Sequence, residues 1–199
     1  MLLFFDDKIT LETKSFKFNK TESKHLTKVL RKGIGTLISI TNGNGLEWCG
    51  KINELNNKYV SAIKIESFQH SLPQKKIHLA IAPTKNSDRM EWLVEKLTEL
   101  GIASITPILC DRSQRKVIKR DRFVKIAVAA LKQSQQFFLP DIKPLIRFNK
   151  LLISIQHQGF IAHCEKTEKK LISKLDISMN EVTILIGPEG DFTPLEIRE

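Results

Sequence analysis

The stretch best equipped for chemistry is Val182-Thr183-Ile184-Leu185-Ile186-Gly187-Pro188-Glu189-Gly190-Asp191-Phe192-Thr193-Pro194-Leu195-Glu196. An apolar run enters a Gly-Pro-Glu-Gly turn. A helix start follows, with Thr193 as cap, Pro194 at the first helical position and Glu196 where a capping box wants it. In an open α/β sheet, ligands bind where loops leave the carboxyl ends of the strands. Gly187 and Gly190 would let backbone groups approach such a ligand closely, and Glu189 can accept bonds from an amine or hydroxyl. A plain strand-to-helix turn uses the same residue types, and both readings stand at this point. The Gly-Lys-Ser/Thr ending of a phosphate loop is absent.

Four further groups invite chemistry. His163-Cys164-Glu165 follows the apolar run Phe160 to Ala162, which places it at another strand exit, either as a second binding loop or as an ordinary turn. Lys24, Lys28, Arg31 and Lys32, with His25 nearby, make one edge of a helix basic. A second basic cluster holds Arg112, Arg115, Lys116, Lys119, Arg120 and Arg122 between a strand and a helix. Charge runs are commonly solvated faces, but this pair also suits the phosphates of RNA. Phe16 and Phe18 flank Lys17 and either stack on bases or, as alternating aromatics in a strand usually do, fill a core.

These residues need elements to hold them. The first seventy positions read as short strands around one helix: Thr36 to Ile40, the turn Asn42-Gly43-Asn44-Gly45, Leu46 to Ile52, and Tyr59 to Ile65. Thr21 is expected to cap the helix, which runs to Lys32 with Gly33 as its stop. A break near Ser71-Leu72-Pro73-Gln74 divides a domain at 1–72 from one at 73–199. From Lys76 onward, strands alternate with helices, which predicts a parallel sheet covered on both faces. Strands are expected at Ile77 to Ala82, Ile105 to Leu109, Phe160 to Ala162 and Val182 to Ile186. Helices are expected from a cap at Asp88 to Gly101, from Asp121 to Ser134, and over the lysine-rich stretch Glu168 to Leu175.

Composition narrows the classes. With 199 residues and 41% hydrophobic content, the chain can bury real cores. The net charge of +10 favours a polyanionic partner. The excess is spread along the chain: residues 1–70 carry 11 basic and 7 acidic groups, and 71–199 carry 21 and 15. Cys49, Cys110 and Cys164 lie far apart without metal-ligand spacing, so reduced thiols in the cytosol are expected, with no metal. No run approaches the length of a membrane span, and Met1 to Asp7 makes a poor signal peptide.

Several segments, in order, resemble the RsmE-type family of small-subunit ribosomal RNA uridine-N3 methyltransferases, of the SPOUT superfamily. They are His25-Leu26-Thr27-Lys28-Val29-Leu30-Arg31; Lys85 with Arg89-Met90-Glu91-Trp92 leading to Glu99-Leu100-Gly101-Ile102; Arg112-Ser113; Ala130-Leu131-Lys132-Gln133-Ser134 with Pro140; and Ile186-Gly187-Pro188-Glu189-Gly190-Asp191-Phe192 with Glu196. The resemblance implies an α/β fold in which a PUA-like RNA-binding β-barrel precedes a SPOUT-type (trefoil-knot) domain with a parallel sheet. It implies a homodimer with S-adenosylmethionine held by Ile186, Gly187, Pro188, Glu189 and Gly190, with His163 and Glu165 on a second loop. It implies contacts from Lys24, His25, Lys28, Arg31, Lys32, Arg112, Arg115 and Lys116 to small-subunit (16S) ribosomal RNA or the 30S particle. Methylation of another RNA position, or RNA binding without catalysis, are the alternatives. Two departures accompany the likeness. Asp191 stands where the family usually has a further glycine, and the sequence ends at Glu199, before a Leu-Gly-x-Arg-Ile-Leu-Arg segment that the family threads to finish the knot. By the resemblance, the residues up to Glu199 are expected to form one wall of the cofactor pocket.

Overall fold

The computed structural model describes residues 1–56, 59–166 and 169–199. They fall into two compact units, one of Met1–Leu72 with Leu131–Phe138, the other of Pro73–Ala130 with Leu139–Glu199.

The first unit is a five-stranded mixed sheet in the order β1-β3-β4-β5-β2, with β1 at Leu2–Phe5, β2 at Ser15–Lys17, β3 at Leu37–Thr41, β4 at Leu46–Leu55 and β5 at Val60–Gln69. One core cluster takes Phe4, Ile38, Ile40, Trp48, Ile52, Val60 and Ala62 from the strands, and Leu26 from the helical segment. Phe18 is buried, and Phe16 packs edge-on against it, so these aromatics serve the core and are not free to stack on bases. Trp48 fits because Gly50 lacks a side chain: a Cβ there would meet the indole ring at 2.3 Å. The Asn42–Gly45 turn has the expected left-handed glycines, Gly43 at φ 77° and Gly45 at φ 83°.

The helix of this unit departs from its expected form. Its cap is Asn19, not Thr21, because Asn19 is the last extended residue and its side chain accepts the Glu22 N–H. Helix α1 covers Lys20–Lys24 and passes into a π turn over His25–Val29, closed by the Leu30 N–H on the His25 carbonyl. The stop is Arg31 at φ 50°, with the Lys32 N–H returning to the Leu26 carbonyl, so Gly33 is not needed as the breaker. Leu131–Phe138 completes the unit: the Phe137 carbonyl accepts the Gly45 N–H at 2.8 Å, His70 stacks on the Phe137 ring, and Lys132 pairs with Glu22 at 2.9 Å.

The second unit is a parallel sheet in the order β10-β11-β6-β7-β8, with β9 pairing β7. Its strands are β6 at Lys76–Ile81, β7 at Ser104–Leu109, β8 at Asp141–Ile142, β9 at Ile146–Arg147, β10 at Gln158–Ala162 and β11 at Glu181–Ile186. Both faces are covered, as β6 shows. Leu79 and Ile81 join a cluster with α2 (Ser87–Glu99) and α3 (Arg120–Ser134), whereas Ala80 and the following Ala82 join one with α4 (Phe148–Ser154) and Phe192. Asn86, not Asp88, caps α2, because Asn86 is still extended and its side chain takes the Asp88 N–H. Helix α3 starts one residue before the expected Asp121. Of the expected helix from Glu168 to Leu175, Glu168 lies outside the described residues, and the rest holds only a 3-10 turn at Ile172–Lys174. No helix among the described residues is long and apolar enough to cross a membrane.

A polar row crosses this sheet near the amino ends of its strands, where Thr183, His78 and Ser104 stand in register. His78 Nδ1 lies 2.7 Å from Ser104 Oγ, and its ring is 5.1 Å from that of His157. Burial, then the neighbouring His157, push His78 below its ordinary value of 6.5, with Glu181 opposing. The unfolded chain therefore binds this proton more readily than the folded one. The contribution is complete above about pH 6.5 and is lost as pH falls below it, with a slope of at most about 1.4 kcal/mol per pH unit. Urea midpoints measured from pH 7.5 to 5.5 should fall more steeply for the wild type than for His78→Gln. Parallel curves would contradict this.

Candidate functional site

The loop after β11 is built from its helix backward. Thr193 caps α5 (Pro194–Arg198) and Glu196 completes the capping box, as the sequence predicts. Glu196 is buried and divides its carboxylate between two tasks. Oε2 accepts the Thr193 N–H at 2.8 Å, and Oε1 accepts the Asp111 N–H at 2.9 Å from the loop after β7. Phe192, fully buried beside Phe148, anchors the other end in the α4-side core. Phe192 and Ile197 occupy the positions of a hydrophobic staple and pack in the same cluster. Gly187 is required by this anchor, since a Cβ there would lie 2.9 Å from the Phe192 ring. Gly190 has no such demand: its nearest neighbour, Arg112 Cβ, would lie at an ordinary 3.6 Å.

Every neighbouring strand exit is tied to this loop. From β6, the Lys85 N–H donates to Glu189 Oε1 at 2.8 Å, and Ala82 N–H donates to the Ile186 carbonyl at 2.9 Å. From β7, the Arg112 guanidinium donates to the carbonyls of Gly190 at 2.9 Å and Phe192 at 3.2 Å. From β10, the Cys164 N–H donates to Asp191 Oδ2 at 2.7 Å. The Lys85 N–H and Glu189's own N–H hold the Glu189 carboxyl below its usual range. Burial works against an ionised Asp191, but the Cys164 and Phe192 N–H groups, helped by His163 and Arg112, outweigh it and keep its carboxyl low. The structure thus brings together Ile186, Gly187, Pro188, Glu189 and Gly190 with the loop of His163 and Glu165. His163 Nδ1 is buried and has no hydrogen-bond partner, so it has bonding capacity to spare in this loop.

The basic residues divide by the partners they hold. Arg112 holds the β11 exit, and Arg115 donates to Ser87 Oγ and the Val117 carbonyl, so neither is a free cation on a mobile loop. Arg122 forks onto Glu91, and Arg120 donates to the Ile142 carbonyl. Lys116, Lys119 and Lys125 are exposed and have no ion-pair partner among the described residues. Lys119 and Lys125 line an open basin of about 570 Å³ with Arg120 and Arg122. In the first unit, Lys24, His25, Lys28 and Arg31 are exposed and Lys32 is half-buried. Lys24 and Lys28 share a concave site of about 390 Å³ with Lys20, whereas His25, Arg31 and Lys32 lie outside it. Arg31 keeps a left-handed backbone at a cost of about 1 kcal/mol.

Sequence reasoning named Lys85 and Arg112 but not their contacts to Glu189 and to the Gly190 and Phe192 carbonyls, and it missed Asp111; these are contacts between loops distant in the chain. The Phe192–Ile197 staple was readable, since apolar residues flank the cap at the required spacing. Among the described residues no cluster of His, Cys, Asp or Glu is placed to hold a metal.

Beside the site, Cys110 is buried and its thiol is pushed up to about 12, first by burial and then by the Glu196 charge, whereas Cys164 is exposed. The native protein at pH 8 should react with one equivalent of a thiol reagent, at Cys164, and with three after unfolding. Rapid native labelling of Cys110 would contradict the packing of the Glu196 anchor.

Comparisons with known proteins agree with this geometry. The model of the RNA methyltransferase domain matches residues 70–199, and that of the RNA methyltransferase PUA domain matches 18–65. Ribosomal RNA small subunit methyltransferase E of Bacillus subtilis is 28% identical over 202 residues, covering 94% of this chain and 78% of its own. The crystal structure of a probable rRNA-methyltransferase from Porphyromonas gingivalis superposes with a TM-score of 0.90 at 30% identity, over 100% of this chain and 84% of that one. A Legionella pneumophila protein solved with the bound cofactor SAM superposes with a TM-score of 0.85 at 25% identity, over 99% and 84%. By the family model that spans its second unit and the PUA model within its first, the chain belongs to the RNA methyltransferase family, and the curated relatives it resembles are ribosomal RNA small subunit methyltransferases E.

Proposed function

We propose that this protein methylates a uridine of small-subunit (16S) ribosomal RNA at N3, with S-adenosylmethionine as methyl donor, acting as a homodimer in the cytoplasm. The observation that carries the reading is the β11 exit loop, to which the exits of β6, β7 and β10 are all hydrogen-bonded. Carboxyl ends of parallel strands are where α/β sheets bind ligands. The residues suit the donor's chemistry. Glu189 and Glu165 are acidic groups for a molecule that carries an amine and a sulfonium, His163 Nδ1 has an unmet bonding capacity, and Ile186 exposes apolar surface at the strand end. S-adenosylmethionine supplies a sulfonium-bound methyl group open to in-line displacement. The chain's part is to orient that group and keep competing water from it, since positioning supplies much of the rate. At uracil N3 a proton must leave, which calls for a base or for a cation that stabilises the anion. The N3 edge is hidden in a duplex, so the target uridine must be unpaired or extruded.

RNA contact is assigned to two basic surfaces. In the PUA-like unit, at 1–72 together with Leu131–Phe138, these are Lys24, His25, Lys28, Arg31 and Lys32, around a π turn of the kind frequent at functional sites. In the methyltransferase unit they are Lys116, Lys119 and Lys125, with Arg112 and Arg115 reassigned to holding loops. The dimer rests on the family resemblance.

Incubation with methyl-labelled S-adenosylmethionine and unmodified small ribosomal subunits, followed by nucleoside analysis, should yield 3-methyluridine. Label on a ribose or on another base would replace the N3 assignment, and absence of label would remove the catalytic one. Replacing Lys119 and Lys125 with Gln should lower the slope of log RNA affinity against log salt by about 1.5, from two lost phosphate contacts, without altering the donor's affinity. An unchanged slope would dismiss this surface.

A further inference from the structure

We propose that Asp191 is a positioning residue for the methyl donor, splinting the loop after β10 to the loop after β11 so that both face one ligand. The proposal rests on the cofactor reading and adds a role to a residue outside its expected binding set.

Asp191 lies at φ 61°, in the left-handed region where an L side chain is strained and glycine is not. Strain of this kind persists at functional sites when the surroundings over-determine it. Here the turn closes without any help from the carboxylate, through the Asp191 N–H on the Pro188 carbonyl at 2.9 Å. The side chain does something else. Oδ1 accepts the adjacent Phe192 N–H at 2.8 Å, and Oδ2 reaches 27 residues back to the Cys164 N–H at 2.7 Å. Sheet pairing between β10 and β11 stops at Ala162 and Ile186, so past that register the carboxylate carries the link.

Cys164 sits between His163 and Glu165. Fixing its N–H therefore fixes where those two side chains emerge relative to Glu189, whose own carboxylate is held by Lys85. On the opposite side, Arg112 grips the Gly190 and Phe192 carbonyls that flank Asp191, which keeps the carboxylate aimed at β10. The Cys164 and Phe192 N–H groups, helped by His163 and Arg112, outweigh burial and hold the carboxyl below its ordinary value, which favours the ionised acceptor. A charged acceptor makes the stronger hydrogen bond.

The test compares wild type, Asp191→Gly and Asp191→Asn by calorimetric titration with S-adenosylmethionine, thermal melting and amide exchange at Cys164. Glycine relieves the backbone, so Asp191→Gly should melt within a few degrees of wild type, yet bind the donor roughly tenfold more weakly and exchange the Cys164 amide faster. Asparagine tolerates the left-handed region and keeps one acceptor oxygen, so Asp191→Asn should recover part of the affinity. A glycine variant with wild-type affinity and wild-type protection at Cys164 would overturn the proposal. So would a matched fall in melting temperature and affinity with no selective change at Cys164, which marks a purely structural role. Wild-type protein that does not bind the donor would overturn the cofactor reading, and this proposal with it.

Discussion

The buried carboxylate of Glu196 bonds in two directions, and much of the site follows from that division. One oxygen caps its own helix and the other holds the Asp111 N–H of a loop 85 positions earlier. A buried carboxylate is costly unless its acceptors are filled, and these are filled by backbone groups that fix the helix start against the β7 exit. With that end held and Phe192 sunk in the core, the backbone from Gly187 to Asp191 is a short span between two anchors. Lys85, Arg112 and Cys164 then meet it at defined atoms. A parallel sheet supplies the strand exits side by side, but these bonds make them one surface.

This explains which parts were legible in the sequence. The capping box of Thr193 and Glu196, the alternation of strands and helices after Lys76, and the glycine pair at Gly43 and Gly45 are local signals and formed as their spacing requires, except that the lysine-rich stretch before Leu175 holds only the 3-10 turn at Ile172–Lys174. Starts of helices were misplaced at Thr21 and Asp88 because residues of cap type stand within two positions of one another, Asn19 with Thr21 and Asn86 with Asp88, and backbone conformation decides among them. The short strands β8 and β9 carry too few residues for any periodicity to show. The partners of Asp191 and Arg112 lie 27 and 78 positions away, a kind of contact that no sequence period encodes.

The charge balance changes meaning in the same way. Six cations between Arg112 and Arg122 look alike as a run, yet the four arginines hold acceptors within the chain, and the two lysines have no ion-pair partner among the described residues. Arginine's planar fork suits carbonyl and carboxylate partners inside a fold, whereas lysine ammoniums remain solvated and free to meet phosphates. In the first unit a comparable economy appears at Arg31, whose strained backbone ends the π turn where glycine would do so more cheaply. A basic side chain kept in that conformation is consistent with a role for the side chain itself.

The central claim is that the four strand exits form a single binding surface around Gly187 to Gly190. Titration of S-adenosylmethionine followed by backbone amide shifts tests it most directly. The account predicts that the largest changes fall together, at one saturation point, on Lys85, Arg112, His163, Cys164, Glu189 and Gly190. Changes concentrated elsewhere, or shifts in the β11 exit alone with Lys85, Arg112 and Cys164 unmoved, would contradict it.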